Sequence, residues 1–364
     1  MYNKIESQCI TFRQLREDDY TISDDRYGIA EYVLTPSRIS AGLACPFAKD
    51  EDVAMMFITE DGTPVSRAQL FPTQVLMYGE LFPCGTGSSL ETAPEYRHTG
   101  VGGDVLFYIA TNKNYPFSLA SGISEQALPL YKAIKYFVLE FPRIMLLRNT
   151  RPILSKIGLR GRLGNLAATI CNVPLKAVNG IHNSSVKRFS KCYTINKVTK
   201  VPDWVDDIVR NEGSRFMEYH DHKWLQWCLD YNFRGLERDI QSFYAIEKDG
   251  KNLGFFMTKE RYRENAGGIK DVLIGSIVEW GVEKDSGLTE YDIIKLALPT
   301  FSKDLDIIET ATADENTVKA AKRLGFIKHG FAHIALKDKK KQFKDAKDIK
   351  NWRVRYGYAD VILT

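Results

Sequence analysis

The order of elements along this 364-residue chain repeats, and that repetition constrains the fold more than any single motif does. In the first half, Val53 to Thr59 is an apolar run of strand length, Asp61-Gly62 is a hairpin turn, and Val65 to Leu70 returns as the partner strand. A second strand pair, Val75 to Met77 with Ser88 to Thr92, is followed by a buried helix at Asp104 to Ala110 and a short strand at Phe117 to Ala120. A helix over Ser124 to Tyr136 comes next, with Ala127, Leu130, Tyr131 and Ile134 at helical spacing. Short strands at Phe137 to Phe141 and Ile144 to Leu147 close the unit. The second half runs through the same order. A hairpin turns at Asp249-Gly250, a long strand spans Val272 to Trp280, and a helix covers Ile293 to Leu298. After a strand at Ile307 to Thr312, a helix from Asn316 to Leu324 stops at Gly325. Strands at Ala332 to Leu336 and Trp352 to Ile362 end the series. Mixed order of this kind implies an α/β sheet covered by helices. Its recurrence reads as a duplication. One hydrophobic core stops growing near roughly 250–300 residues, so two domains are expected. We place them at 1–148 and 202–364, with a connecting segment at 149–201.

Ahead of the first hairpin, Cys9 to Arg13 reads as a strand and Ile22 to Leu43 as containing a helix. The connecting segment is basic: Arg148, Arg151, Lys156, Arg160 and Arg162 alternate with Ile153, Leu154, Ile157, Leu159, Leu163 and Leu166. Such a pattern suits a weak contact with an anionic membrane surface. The simpler reading, and the one preferred, is a helix packed on the sheet with a solvated basic face. Pro152, Gly158, Gly161 and Gly164 argue against a long regular helix here.

The net charge of +4 makes no general case for nucleic acid, and no specific nucleic-acid partner is expected. No apolar run reaches the roughly 18 residues of a membrane span, and Met1 to Glu6 lacks the apolar stretch of a secretory signal. Six scattered cysteines without a C-x-x-C pair read as reduced thiols, and the expected location is cytoplasmic. His220-Asp221-His222 offers two imidazoles whose neighbouring side chains diverge, so no metal site is expected.

The most informative stretch is Glu91-Thr92-Ala93-Pro94-Glu95-Tyr96-Arg97-His98-Thr99-Gly100-Val101-Gly102, between an expected strand and an expected helix. Glycines there let the backbone turn tightly and approach a ligand. The unbonded N–H groups of the helix start then face that ligand, with the positive end of the helix dipole behind them. A pyrophosphate suits such a loop. R-x-x-G-x-G alone is too short to be specific.

Taken with its surroundings, this stretch resembles the GNAT superfamily of acyl-CoA N-acyltransferases. There the fourth strand leads into Q/R-x-x-G-x-G/A. Here Pro94-Glu95-Tyr96-Arg97 is followed by Gly100 and Gly102 in register, and Ile10 to Asp19 resembles the usual first strand and turn. Ala127 to Tyr136 is similar to the family's N-x-x-A-x-x-x-Y-x-x-x-G-F segment and keeps the tyrosine as Tyr131. It lacks the asparagine, and Lys135-Tyr136 stands where Gly-Phe is common. The resemblance covers about residues 8–148. It implies two GNAT-like domains, each a mixed, mostly antiparallel sheet flanked by helices. It also implies coenzyme A, most simply as acetyl-CoA, held at Arg97, His98, Thr99, Gly100, Val101, Gly102 and Gly103. An amine of a small molecule or peptide would attack the thioester, and backbone N–H groups near the fourth strand would stabilise the oxyanion. Tyr131 would protonate the departing thiolate, since a phenol near about 10 and a thiol near about 8.5 exchange a proton with little imbalance. Glu91 is the first choice of general base, with Glu80 further back, and a solvated strand residue is the plainer reading of each. His98 reads as a solvent-facing loop residue rather than a base. For Tyr131 the acid role is preferred over a packed tyrosine on a helix face.

The second half resembles the same superfamily at Asn316 to Phe326, yet Asp285-Ser286-Gly287-Leu288 replaces the glycine motif, and Lys322 or Arg323 fills the tyrosine position. We expect this copy to have lost its cofactor site and to shape the acceptor pocket through Glu279 and Trp280. Two other functions fit the same residues. A Fem-like transferase would use aminoacyl-tRNA and need a broad basic groove. A non-catalytic scaffold would bind coenzyme A without turnover.

Overall fold

The computed structural model describes residues 4–22, 24–159, 161–358 and 361–362. Arg160 of the basic segment and Ala359-Asp360 near the end of the chain lie outside them. The first half contains β1 (Ile5–Thr11), α1 (Phe12–Glu17), α2 (Pro36–Leu43), β2 (Val53–Glu60), β3 (Thr63–Met77), β4 (Glu80–Thr92), α3 (Val101–Thr111), β5 (Phe117–Ser121), α4 (Leu128–Ala133) and β6 (Phe137–Leu147). Two helices connect, α5 (Arg151–Lys156) and α6 (Gly161–Ser190). The second half contains β7 (Thr194–Val198), α7 (Val205–Asn211), β8 (Phe216–Glu218), α8 (His222–Asp230), β9 (Ile240–Lys248), β10 (Lys251–Ala266), β11 (Ile269–Val282), α9 (Glu290–Ala297), β12 (Ile307–Ala311), α10 (Glu315–Ala321) and β13 (Ile327–Asp338).

Among the described residues, the strands of both halves join edge to edge in one mixed sheet of thirteen strands. Its order is β1-β2-β3-β4-β5-β13-β6-β12-β11-β10-β9-β7, with β8 paired to β3. The halves exchange a strand. β13 lies antiparallel between β5 and β6, and β6 pairs with β12. One large apolar cluster accordingly draws on both halves, with Phe71, Leu119 and Phe141 packed with Trp224, Phe255 and Tyr358. Among the described residues no helix is long and apolar enough to cross a membrane.

Several expectations change. Of the helix expected within Ile22 to Leu43, only α2 forms, capped by Thr35 with Pro36 in its first turn. The residues before it turn instead, because the Asp25 carboxylate accepts from the Ala30 and Glu31 amides and Gly28 is left-handed (φ 64°). The strand expected from Cys9 to Arg13 ends at Thr11, whose hydroxyl and Gln14 form a capping box for α1. The pieces Val65 to Leu70 and Val75 to Met77 are one strand, β3, which turns into β4 at Tyr78-Gly79, both at positive φ (52° and 82°). The two strands placed between Phe137 and Leu147 are likewise one. α4 starts only at Leu128, where Pro129 suits a first turn. The basic segment does contain a long regular helix, α6, despite Gly164 and Pro174. The described residues of the expected closing strand, 352–358 and 361–362, do not form a strand: among them Trp352 makes one bridge, to Phe216, and Trp352, Tyr356 and Tyr358 are buried.

Candidate functional site

The site begins with a defect in β4. Arg67 of β3 pairs with Glu91 and Gln69 pairs with Ser88, so β4 carries one extra residue between them. Ser89 takes a left-handed conformation (φ 52°) there, and the strand bends. On its other side β4 runs parallel to β5 only from Cys84–Phe117 to Gly87–Ala120. Past Gly87 the two strands part. The opening holds a cavity of about 700 Å³, bounded by Leu90, Glu91 and Thr92 on one side and by Ser124, Gln126, Ala127, Pro129 and Leu130 on the other.

The glycine-bearing loop forms the end wall. Pro94–Tyr96 make one tight helical turn, His98 (φ 74°) and Gly100 (φ 104°) reverse the chain, and α3 starts at Val101 without a side-chain cap. The φ of Gly100 is one that side chains resist. Gly102 is needed for a different reason: a Cβ there would lie 2.7 Å from Thr92 Oγ1, so only glycine lets the helix start against the end of β4. The amides of Gly103 and Asp104 already donate to the Gly100 carbonyl. Those of Val101 and Gly102 precede the first intrahelical bonds and belong to the positive end of the helix. Asp104, exposed in the same turn, is the one acidic side chain there.

Arg97, His98, Gly100, Gly102 and Gly103 line the cavity. The Arg97 side chain is exposed, and its Nε reaches the Thr92 carbonyl at 3.3 Å. Thr99 folds back to donate to the Tyr96 carbonyl (2.7 Å), and Val101 packs into the core with Val65 and Val105. These residues and their backbone can hold a diphosphate. Glu91 borders the same cavity, half exposed, and accepts from Arg67 Nη2 at 2.5 Å. Arg67 is buried, donates to the Ile29 carbonyl, and stacks 4.6 Å from the Tyr32 ring centre. Burial pulls the guanidinium below its ordinary range, and Glu91 opposes that pull. Glu80 lies twelve strand positions from Thr92, at the far end of β4. Tyr131 follows the cavity-lining Leu130 on α4 but is itself buried, edge-on to Tyr136 at 5.1 Å and beside Leu106 and Ala110.

Glu279 and Trp280 are not at this cavity. Both are buried in a polar network of the second half. His220 Nδ1 meets Glu279 at 2.5 Å, Arg355 Nε donates to the Trp280 carbonyl at 2.8 Å, and Arg355 Nη2 pairs with Glu212 at 2.7 Å. His222 turns away to Asp206, so the two histidines do not converge, and no group of three metal-ligating side chains occurs among the described residues. The sequence reading missed the bulge and the wall formed by Ser124 and Gln126. The run Gly85-Thr86-Gly87-Ser88-Ser89, small and polar inside a strand, was the available signal for the first.

No protein-family model matches this sequence, and no curated protein matches it significantly. Solved structures do. The chain is similar to Saccharomyces cerevisiae N-myristoyltransferase with bound myristoyl-CoA (13% identity, 93% of this chain and 80% of that one, TM-score 0.59). It is similar also to a GCN5-related N-acetyltransferase from Anabaena variabilis (10%, 92% and 72%, 0.54). A third similar structure is a probable N-acyltransferase from Enterococcus faecalis (13%, 92% and 72%, 0.52). The chain thus shares its overall fold with GNAT N-acetyltransferases and N-myristoyltransferases.

Proposed function

We propose that this protein is an acyl-CoA-dependent N-acyltransferase, with acetyl-CoA as donor and a small-molecule or peptide amine as acceptor. The observation that carries the reading is the coincidence of three features at one cavity: the uncapped glycine start of α3, the bulge of β4, and the parting of β4 from β5. Likeness to acyltransferases of known fold supports it. The Val101 and Gly102 amides and Arg97 would hold the pyrophosphate, with His98, Thr99, Gly100 and Gly103 shaping the loop around it. The donor supplies a thioester carbonyl. Backbone N–H groups of the bulged part of β4 would carry the negative charge that develops on its oxygen. Glu91, oriented by Arg67, would take the proton of the attacking amine directly or through a water. Tyr131 would return a proton to the leaving thiolate.

The test is calorimetry with coenzyme A. One molecule should bind per chain, and Gly100→Val should abolish binding while the circular dichroism spectrum persists, because a β-branched side chain resists the φ of 104°. A folded Gly100→Val protein with parental affinity would overturn the cofactor assignment.

A further inference from the structure

We propose that α6 docks this protein on an anionic lipid bilayer, with the helix lying in the membrane surface. The inference does not depend on the acyltransferase reading.

The helix is turned inside out relative to an ordinary packed helix. Over its thirty residues only Gly164, Ala168 and Val186 are buried. Leu163, Leu166, Ile170, Val173 and Ile181 are 73%, 60%, 64%, 65% and 72% exposed. With Ala177 they recur at intervals of three and four residues, so they form one stripe along the solvent side. Ile157 and Leu159, in the turn before the helix, are exposed as well. The inward side is held largely by polar contacts. Asn172 accepts from the Thr150 amide and hydroxyl and donates to Asn149, and Asn179 donates to the Leu147 carbonyl. These bonds fix the rotation of the helix and leave its apolar stripe outward. Five large aliphatic side chains in one exposed line are more than chance exposure on a soluble surface.

Charge identifies the occupant. From Phe141 to Pro202 the sequence has twelve lysines and arginines and no aspartate or glutamate, although the whole chain is only +4. The rest of the molecule is therefore net acidic. Some of these cations serve the fold: Arg143 pairs with Glu309, Arg148 donates to the Ser302 carbonyl, and Lys156 donates to the Gly267 carbonyl. Arg162, Lys176, Lys187, Arg188 and Lys191 are exposed on or just after α6. At about 100° per residue, Arg162, Lys176 and Lys187 fall along one flank of the apolar stripe. Long basic side chains there reach headgroups while the stripe enters the acyl boundary. A second copy of the chain is the other possible cover. Its α6 would bring the same cations without one acid to pair them. Lipid phosphates supply the missing opposite charge.

The experiment is sedimentation of the full chain with phosphatidylcholine vesicles and with phosphatidylcholine–phosphatidylglycerol vesicles. Binding to the anionic vesicles should exceed binding to the neutral ones by about tenfold or more and fall as salt rises. The double variants Leu163→Ser/Ile170→Ser and Lys176→Gln/Lys187→Gln should each reduce it by about tenfold, with unchanged circular dichroism since all four side chains are exposed. Equal or absent binding to the two vesicle types would overturn the proposal without reference to any variant. So would concentration-dependent dimers in the ultracentrifuge that Leu163→Ser/Ile170→Ser dissolves, which would give the face to a second copy.

Discussion

The two halves build the same opening and treat it oppositely. In the second half β11 carries an extra residue at Val278, between the pairs Met257–Glu279 and Thr258–Ile277, just as β4 does near Ser89. β11 then parts from β12 after Ser276–Glu309, as β4 parts from β5. In the first half that parting is a cavity. In the second it is filled by the segment 352–358: the Gly357 amide donates to the Val278 carbonyl at 2.7 Å, and Arg355 reaches the Trp280 carbonyl. Gly357 permits the approach, since a Cβ there would sit 2.6 Å from the Val278 oxygen. The helix starts differ in the same sense. α3 opens on Gly100 with no side-chain cap. α9 opens on Thr289, whose hydroxyl and the Asp292 carboxylate close a capping box, with Glu290 and Asp292 in the first turn. Those carboxylates occupy the positive helix end and would repel a phosphate. One scaffold thus yields an open cavity or a piece of core, depending on whether the chain fills its own opening.

The largest effect should come from the half with the cavity. Tyr131→Phe keeps the ring that packs on Tyr136 and removes the hydroxyl. Coenzyme A affinity should hold while turnover with an amine acceptor falls by roughly 10²–10⁴. Parental turnover with the same pH dependence would make Tyr131 a packing residue. In the filled half the effect should appear in stability. Arg355 is fully buried and faces Glu212, Glu279 and Glu290. Arg355→Met leaves those carboxylates with Arg353 alone near two of them, and urea unfolding should show a loss on the order of 3–5 kcal/mol. A loss under about 1 kcal/mol would mean that aromatic packing of Trp352, Tyr356 and Tyr358 holds the segment without its charges.

Local signals carried most of the fold and the loop. Asp61-Gly62, Asp249-Gly250 and Gly325 mark turns and a helix end that form where the sequence puts them. The Gly100 and Gly102 spacing located the cavity's end wall because both glycines answer a local steric demand. What the sequence hid is set by distant partners. The exchange of β6 and β13 follows from pairing between residues about 190 apart, which no local pattern encodes. The outward face of α6 was ambiguous because amphipathicity shows that a stripe exists, not which way it points; Asn172 and Asn179 decide that. Trp352 to Ile362 has strand composition, yet residues 352–358 pack as an irregular plug because the Arg353 and Gly357 amides are spent on the Phe216 and Val278 carbonyls rather than on a ladder.

The smallest effect, and the one that tests whether the filled half is fastened by charge, concerns His220. Burial opposes a charge on this imidazole, but its hydrogen bond to the Glu279 carboxylate and its pairing with Glu218 outweigh that and raise the group to about 9. An unfolded histidine titrates near about 6.5. A raised folded value gives stability that is complete below about 6.5 and is lost as pH climbs through about 9, by about 3 kcal/mol. Other groups titrate in that window. Lys339, which burial lowers to about 8, contributes with the opposite sign, since its unfolded form keeps the proton longer. The parent curve alone is therefore uninformative. The readout is the difference between parent and His220→Gln in urea midpoint, taken on both sides of the window. Glutamine can still donate to one of the two carboxylates but cannot take the charge. The gap between the proteins should be widest at the acid end and should close toward alkaline pH. A gap that stays constant with pH would mean that His220 is buried neutral, and that neighbouring Trp224, stacked on its ring at 5.3 Å, accounts for its place in the core.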